Sequence, residues 1–275
     1  MSHPTGTGSL RGDAALLEMG TRAEVWGGVG RARHDGCMCG RFANDAETNE
    51  LIEEFVAAGN DFRDWRPQFS IAPTEIVPIV RERATASGEV VRVIEPAAWD
   101  FHPPFLTTKT RPQFNARIET VATNGLWKSA FANTRCIVPM RGYYEWTGAP
   151  GDKQPHFIQA QGGAPILAAA GLATARKVDG EWSVSTVIIT REARDASGEV
   201  HDRMPAFLSR AAYDEWLAPV KLASDADTQR MLDMLGAVSA EVAASLTSHE
   251  VDRRVNNSRT VDPADPGLIA PLTTP

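Results

Sequence analysis

A single amphipathic helix is the clearest pattern in the first quarter of the chain. Asn44-Asp45-Ala46-Glu47 has the spacing of a capping box, in which two side chains satisfy backbone N–H groups at the start of a helix. The apolar face that follows is formed by Leu51, Ile52, Phe55 and Val56. This periodicity predicts a helix that ends before Gly59. Shorter helices are predicted over residues 211–217 and 228–235.

Most other apolar residues occur in short runs that are typical of strands. Residues 76–81 and 89–94 alternate around a Ser-Gly turn and predict a hairpin. Further strand-like runs cover residues 135–138, 142–146, 156–159, 166–170 and 182–190, and a closing strand is predicted over 248–255. Many short strands with a few intervening helices indicate one α+β domain with a β-rich core.

The two ends of the chain do not share this periodicity. Residues 1–37 are rich in Gly, Arg and small residues, and they predict a disordered leader or a misassigned start. The alternative is a genuine leader that is cleaved before Cys39. The domain is expected over residues 38–269. The tail is proline-rich from Pro263 onward, and we expect it to be loose, with residues 270–275 outside the domain.

Composition excludes several classes of protein. With 275 residues and 43% hydrophobic residues, the chain can bury one good core. It contains no run of 18 apolar residues, and its first residues do not have the regions of a secretory signal, so neither a membrane span nor export is predicted. Its three cysteines lack metal-ligand spacing and suit a reducing cytoplasm. We predict no metal and no cofactor.

The net charge is −7, and residues 1–37 contribute four arginines against four acids, so the remainder also carries −7. This balance argues against broad non-specific DNA binding, which normally shows as a basic surface. A local basic groove is compatible with it.

The tetrapeptide Cys39-Gly40-Arg41-Phe42, directly after Met38, carries the most chemical information. If translation began at Met38 and that residue were removed, Cys39 would carry a free α-amine beside its thiol. An α-amine has a pKa of about 7.7–8.0, against about 10.4 for lysine, so a useful fraction is unprotonated near neutrality. The amine can condense with an aldehyde, and the sulfur can then close a five-membered thiazolidine ring. An internal cysteine cannot do this.

Three further segments complete a constellation with Cys39. They are Asn115-Ala116-Arg117-Ile118-Glu119-Thr120, Gly142-Tyr143-Tyr144-Glu145-Trp146 and His201-Asp202-Arg203-Met204-Pro205. In this order and spacing, the segments closely resemble the SRAP family (SOS response-associated peptidase), the abasic-site processing proteins. Supporting matches are Ile71-Ala72-Pro73-Thr74, Arg135-Cys136-Ile137-Val138-Pro139, Lys153-Gln154-Pro155-His156-Phe157 and Val255-Asn256-Asn257. The resemblance runs from Met38 to about Ile269.

The resemblance implies a barrel-like antiparallel core and a covalent reaction with DNA. Cys39, as the mature N-terminal residue, would attack the ring-opened aldehyde of an abasic site in single-stranded DNA and form a stable crosslink. Glu145 would move the proton that opens the closed sugar. Burial among aromatic residues should raise the pKa of its carboxyl group and so suit it to proton transfer. Asn115 would hold a hydroxyl or alkoxide of the opened sugar. His201 would shuttle protons, because histidine exchanges them near neutral pH.

Several residues are expected to contact the DNA. Arg117, Arg203 and Arg41 suit phosphates, because a guanidinium can donate two parallel hydrogen bonds. Met204 is expected to pack against a base, and Trp99 to wedge against an exposed base next to the lesion. Glu119 and Thr120 are expected to brace the site rather than react.

The chain departs from the family pattern at two positions. Trp99-Asp100-Phe101-His102-Pro103 stands where a typical member has Trp-Gly-Leu-Ile-Pro, so a negative charge is expected near the DNA groove. Ser70 stands where the family usually places Asn before Ile-Ala-Pro. Both changes bear on DNA affinity and leave the four reacting groups intact.

Two other functions compete with abasic-site capture. The first is a cysteine-type peptidase with Cys39 as nucleophile, His201 as base, and Glu145 or Asn115 as orienter; it could cleave its own Met38–Cys39 bond. The second is a β-rich binding module without a reaction. A β-elimination lyase side reaction would accompany a Schiff base intermediate.

We expect a cytoplasmic monomer that associates with the nucleoid when it is crosslinked.

Overall fold

Short strands alternate with a few helices in the computed structural model, which describes residues 40–55, 57–59, 65–107, 111–163, 166–193, 198 and 200–272. The helices are Thr48–Phe55 (α1), Lys128–Asn133 (α2), Tyr213–Leu217 (α3) and Asp225–Ala243 (α4). The strands are Phe42–Asn44 (β1), Ala58–Gly59 (β2), Gln68–Ile71 (β3), Ile76–Ala84 (β4), Val90–Ala98 (β5), Asn115–Arg117 (β6), Arg135–Met140 (β7), Gly142–Thr147 (β8), Gln154–Ala160 (β9), Leu167–Val178 (β10), Glu181–Glu192 (β11), Arg203–Pro205 (β12), Phe207–Leu208 (β13) and Leu246–Glu250 (β14).

The first helix is present, but its predicted capping box is wrong. Asn44 belongs to β1, and its Oδ1 accepts a hydrogen bond from the Ala46 N–H at 3.2 Å. The helix begins at Thr48, where the Glu50 carboxylate accepts from the Glu47 N–H at 2.7 Å. Half of a capping box therefore forms three residues later than predicted.

The predicted hairpin and the predicted strands up to residue 190 are confirmed, and most extend beyond their predicted ends. β4 and β5 pair antiparallel from Ile76–Ala98 to Ala84–Val90. β10 and β11 are twelve residues each, so the predicted runs 166–170 and 182–190 are parts of one long hairpin. The predicted helix 228–235 is likewise the centre of α4, which has nineteen residues.

Five of the strands close into a barrel. β11 pairs with β10, β10 with β7, β7 with β4, and β4 with β5, all antiparallel. The ring closes where Ala98 of β5 pairs in parallel with Ser185 of β11. β6 and β12 then lie beside the C-terminal part of β11. This arrangement confirms the predicted α+β domain with a barrel-like, largely antiparallel core.

A second, five-stranded antiparallel sheet has the order β14-β9-β8-β1-β3. Alternation along its strands gives it two apolar faces. Tyr143 and Ile158 point into the main core, whereas Tyr144 and Phe157 belong to a separate cluster. β1 is an inner strand of this sheet, which fixes the chain directly after Cys39.

Residues 251–272, here called the C-terminal strap, cover the outer face of the five-stranded sheet. Val255 and Leu268 are fully buried in the second cluster, and the Pro263 carbonyl accepts from the Phe69 N–H at 2.6 Å. The expectation of a loose tail from Pro263 onward is therefore wrong, because these residues bury apolar side chains. The predicted strand 248–255 also ends earlier than predicted, at Glu250.

The predictions for residues 1–37 and for Val56 lie outside the described residues. Cys39 also lies outside them, one peptide bond before the described Gly40. Of the helices that the structure describes, none combines the length and the apolar character that crossing a bilayer requires.

Candidate active site

The register between β1 and β8 relates the Cys39 segment to Glu145. Phe42 lies opposite Tyr143, and the Arg41 carbonyl accepts from the Tyr144 N–H at 2.9 Å. Continued by one residue, this antiparallel register sets Gly40 opposite Glu145. The chain therefore leaves the described region towards Cys39 beside the Glu145 strand position.

Glu145 is buried, with 1% of its surface exposed. It lies directly opposite His156 of β9, so the two side chains share one face of the sheet. Burial lowers the pKa of His156, against the opposing charge of Glu250, and its Nε2 lies 2.9 Å from the Thr147 Oγ1. We did not predict His156 as a site residue, although its segment was one of the supporting matches.

Asn115 and Arg117 lie on β6, which pairs in parallel with Ile188–Thr190 of β11. Ala116 between them is buried, Asn115 is half-buried and Arg117 is exposed. Period-two alternation therefore puts Asn115 and Arg117 on the face opposite Ala116, as expected for an extended segment.

His201 lies two residues before the start of β12, on the other side of β11. Its Nδ1 accepts a hydrogen bond from the Arg203 backbone N–H at 3.1 Å and also lies 3.0 Å from the Asp202 carboxylate. The Arg203 guanidinium binds both Glu119 carboxylate oxygens, at 2.6 and 3.1 Å. This pair connects the turn after Asn115 to the strand after His201.

Ring contacts bring the four segments into one neighbourhood. The Phe42 ring lies 4.9 Å from Trp99, which in turn lies 5.7 Å from Phe114, the residue before Asn115. Tyr143 of β8 lies 6.0 Å from Phe207, two residues after β12 ends. The core aromatics thus link β1 to β6, and β8 to the His201 segment.

Two of the predicted DNA contacts are corrected by burial. Trp99 is fully buried and its Nε1 donates to the Phe114 carbonyl at 2.9 Å, so it cannot wedge against a base. Met204 is also fully buried, within the main core, and cannot pack against a base. Both residues belong to the hydrophobic core. Their side-chain types did not reveal this, because a large apolar side chain suits contact with a base as well as burial in a core.

Two of the predicted phosphate contacts are occupied by the protein itself. Arg41 is 9% exposed; its Nη1 donates to the Ser70 Oγ and the Val255 carbonyl, each at 3.0 Å. Arg203 is 7% exposed and is held by Glu119. Arg117 is the exposed guanidinium of the three. Phosphate binding by these residues stays a prediction, and the geometry favours it most at Arg117.

Both departures from the family pattern have local partners. The Asp100 carboxylate accepts from the Gln113 N–H at 2.8 Å and so fastens the loop that leads to β6. Ser70 is buried and accepts the hydrogen bond from Arg41. The Asp100 carboxylate is therefore hydrogen-bonded to the backbone of the segment before β6.

The cysteine that lies within the described residues is unsuited to catalysis. Cys136 lies in β7 and is fully buried, and burial raises the pKa of its thiol to about 12. Its sulfur lies 3.5 Å from the Thr186 hydroxyl. Among the described residues, no group of three or more His, Cys, Asp or Glu side chains could hold a metal ion.

Sequence comparisons place this arrangement among characterised proteins. The chain is 29% identical over 233 residues to the abasic site processing protein YedK of Escherichia coli K12, covering 80% of this chain and 95% of that protein. It is 25% identical over 232 residues to the abasic site processing protein YoqW of Bacillus subtilis, covering 82% and 97%. The abasic site processing protein HMCES of Xenopus tropicalis is 25% identical over 268 residues, covering 82% and 77%.

Solved structures show the same fold. A protein of Bacteroides thetaiotaomicron matches with a TM-score of 0.68 at 19% identity, covering 86% of this chain and all of that one. A protein of Bordetella bronchiseptica matches with a TM-score of 0.59 at 22% identity, covering 78% of this chain. The family model described as SOS response associated peptidase (SRAP) matches residues 38–258. The chain therefore belongs to the SRAP family.

Proposed function

We propose that the protein processes abasic sites in DNA by capturing them covalently, with Cys39 as its mature N-terminal residue. The substrate is single-stranded DNA, in which the abasic sugar opens to an aldehyde. The α-amine of Cys39 adds to the aldehyde carbon and one water leaves, which gives an imine. The sulfur then adds to the same carbon, its proton passes to the nitrogen, and a thiazolidine ring closes. The DNA backbone remains intact.

The register of β1 against β8 is the observation that carries this proposal. It sets Gly40 opposite the buried Glu145, so the nucleophile is tethered within one residue of the acid that would open the sugar. In this proposal Glu145 is the group that donates a proton to the ring oxygen as the closed sugar opens. The sequence relatives named abasic site processing proteins support abasic-site processing as the activity.

The other groups take roles that follow from their positions. Asn115 is half-buried on β6 and offers an amide to a hydroxyl of the opened sugar. Arg117, exposed on the same face, pairs with a flanking phosphate. His201 accepts and returns protons during imine formation. The net charge of −7 calls for a local contact surface rather than a broad basic one.

Intact mass spectrometry tests the proposal. The chain translated from Met38, with its N-terminus verified as Cys39, is mixed with a single-stranded oligonucleotide that carries one abasic site. We expect a 1:1 adduct that survives denaturation and whose mass is the sum of both partners less one water. Cys39→Ala should form no such adduct.

Two controls separate the aminothiol from a general thiol effect. Cys136→Ala removes a buried thiol and should crosslink like the parent. A variant that retains one extra residue before Cys39 keeps the thiol but loses the α-amine, and we expect it to crosslink poorly. Normal crosslinking by that variant would refute the thiazolidine mechanism.

A second candidate function is self-cleavage at Met38–Cys39, since the family match begins at residue 38 and leaves the preceding segment outside it. Attack of the Cys39 thiol on the preceding carbonyl, followed by hydrolysis, would release the leader and expose the amine. Incubation of the full chain should then yield a new N-terminus at Cys39, and Cys39→Ala should stay intact. The full chain could remain uncleaved while the shorter chain crosslinks. That outcome would reject self-cleavage and leave covalent capture standing.

A further inference from the structure

Asn256, in the C-terminal strap, bridges two parts of the molecule with its side-chain amide. Its Oδ1 accepts a hydrogen bond from the indole Nε1–H of Trp146 at 2.7 Å, and its Nδ2 donates to the Lys153 carbonyl at 2.9 Å. Trp146 belongs to β8, and Lys153 directly precedes β9. An indole N–H can only donate and a carbonyl can only accept, so both contacts require the same orientation of the amide. Both polar ends of the Asn256 side chain are therefore matched by the protein.

The backbone that carries Asn256 is itself held in place. Val255, the residue before it, is fully buried in the second cluster. Arg253 fastens the same turn to the start of β9, since its guanidinium pairs with Asp152 and its Nε donates to the Gln154 Oε1 at 2.9 Å. The Asn256 side chain is exposed, however, so its removal leaves the apolar packing of the strap intact. Asn256 therefore contributes orientation rather than burial.

The Trp146 ring that Asn256 holds lies beside the Arg41 guanidinium. The guanidinium carbon is 5.9 Å from the centre of the ring, which is within the range of a cation–π contact. The Arg41 Nη1 also donates to the Val255 carbonyl at 3.0 Å. Two consecutive residues of the strap thus hold the guanidinium and the ring together, one through its backbone carbonyl and the other through its side-chain amide.

We propose that Asn256 is a positioning residue for abasic-site capture. Arg41 lies two residues after Cys39, and this segment runs beside β8. Trp146 directly follows Glu145 on β8. By fixing the ring against the guanidinium, the Asn256 amide holds the segment after the nucleophile in place along the strand of the acid, whether or not Arg41 also contacts a phosphate. The effect on the rate rests on the proposed function, whereas the contact between Asn256 and Trp146 does not.

NMR of the indole N–H groups tests the contact without DNA. In the ¹H–¹⁵N spectrum of the full chain, Trp146→Phe removes one indole signal and so assigns it. We expect Asn256→Ala to shift this signal and to speed its exchange with solvent, because the indole loses its acceptor. The matched control is Asn257→Ala, which should leave the signal in place, since the Asn257 Oδ1 accepts from the Arg259 N–H at 3.2 Å instead. A Trp146 signal that Asn256→Ala does not move would overturn the contact and the proposal with it.

Crosslinking kinetics of the Cys39-initiated chain test the role in the reaction. Because a displacement of about 1 Å can cost about 100-fold in rate and the amide acts through one ring, we expect Asn256→Ala to lower the rate at saturating DNA by about 10-fold. Trp146→Phe keeps a ring beside Arg41 but removes the N–H donor, so it should cost as much, and the double variant should be little worse than either single one. Asn256→Asp keeps an acceptor for the indole and should retain most of the rate. Asn257→Ala should retain all of it.

A purely structural role for Asn256 gives a different pattern. Asn256→Ala would then unfold at a lower urea concentration and still crosslink at the parent's rate, and this result would reject the positioning role. An equal loss of rate in Asn257→Ala would reject it too, because the two asparagines have different partners. Should Asn256→Ala fail to fold, Trp146→Phe decides, since a parent-like rate in that variant excludes the role. A parent chain that forms no crosslink rejects the proposed function and the effect on the rate, and leaves the NMR result standing.

Discussion

Gly142 occupies a position where a side chain has no room. It opens β8, opposite Ala43 of β1 and Gln159 of β9. A Cβ there would lie 2.4 Å from the Ile158 carbonyl oxygen and 2.6 Å from the Phe157 ring, whereas real Cβ atoms stay at least 3.0 Å from such neighbours. The carbonyl is strand backbone and Phe157 is fully buried, so neither can yield easily. We expect Gly142→Ala to reduce the free energy of unfolding by about 1–3 kcal/mol, as overpacking does.

Urea unfolding followed by tryptophan fluorescence measures this loss. The matched control is Gly236→Ala in α4, where a Cβ would meet nothing within 4 Å. Helix propensity predicts that this control gains up to about 1 kcal/mol. Opposite shifts of the two midpoints are therefore expected. If Gly142→Ala unfolds at the parent's midpoint, β8 and β9 do not approach as closely as described, and the register that positions Glu145 loses its support.

Two further substitutions and one labelling experiment test the core and the cap of α4. Trp99→Ala should cost about 3–5 kcal/mol in urea unfolding, because the indole is fully buried; a stable variant with weaker DNA binding would restore the wedge role. Cys136 has a folded pKa of about 12, above that of a thiol in the unfolded chain, so its contribution to stability is complete at pH 8 and is lost as the pH rises towards 12. Thiol labelling at pH 8 should therefore require unfolding, and rapid labelling of the folded protein at Cys136 would contradict the burial. Ser224→Ala should cost about 1 kcal/mol in thermal unfolding, because the hydroxyl caps the Asp227 N–H at 3.1 Å, whereas an unchanged midpoint would count against the cap.

Local pattern was sufficient to predict most of the sheet. The hairpin of β4 and β5 has two runs rich in Val and Ile that flank a Ser-Gly turn, and these signals lie within a few residues of each other. The short strands β1, β3 and β6 have no comparable pattern, since each is defined by its partners far along the chain. The closure of the barrel at Ala98 and Ser185 is likewise a long-range pairing without a local signal.

The candidate site, too, could be predicted where a local sequence signal exists and not where a residue's environment depends on distant parts of the chain. Motif identity pointed to Glu145 and Asn115, and the extended geometry of β6 places Asn115 and Arg117 on one face. Side-chain type alone could not tell whether Trp99 faces solvent or the core, because a large aromatic ring suits both. Nor could it show that Arg203 is already paired, since its partner Glu119 lies 84 residues away.

The inner position of β1 bears on how firmly the backbone directly after Cys39 is held. Chain termini usually fray, because nothing pairs with their backbone. Here Gly40 and Arg41 are buried one and two residues after Cys39, and β1 is hydrogen-bonded on both sides. Amide hydrogens of β1 should therefore exchange only when the domain unfolds as a whole. In the proposed reaction, the backbone entropy of the segment that follows the nucleophile is thus lost during folding and not on the path to the transition state.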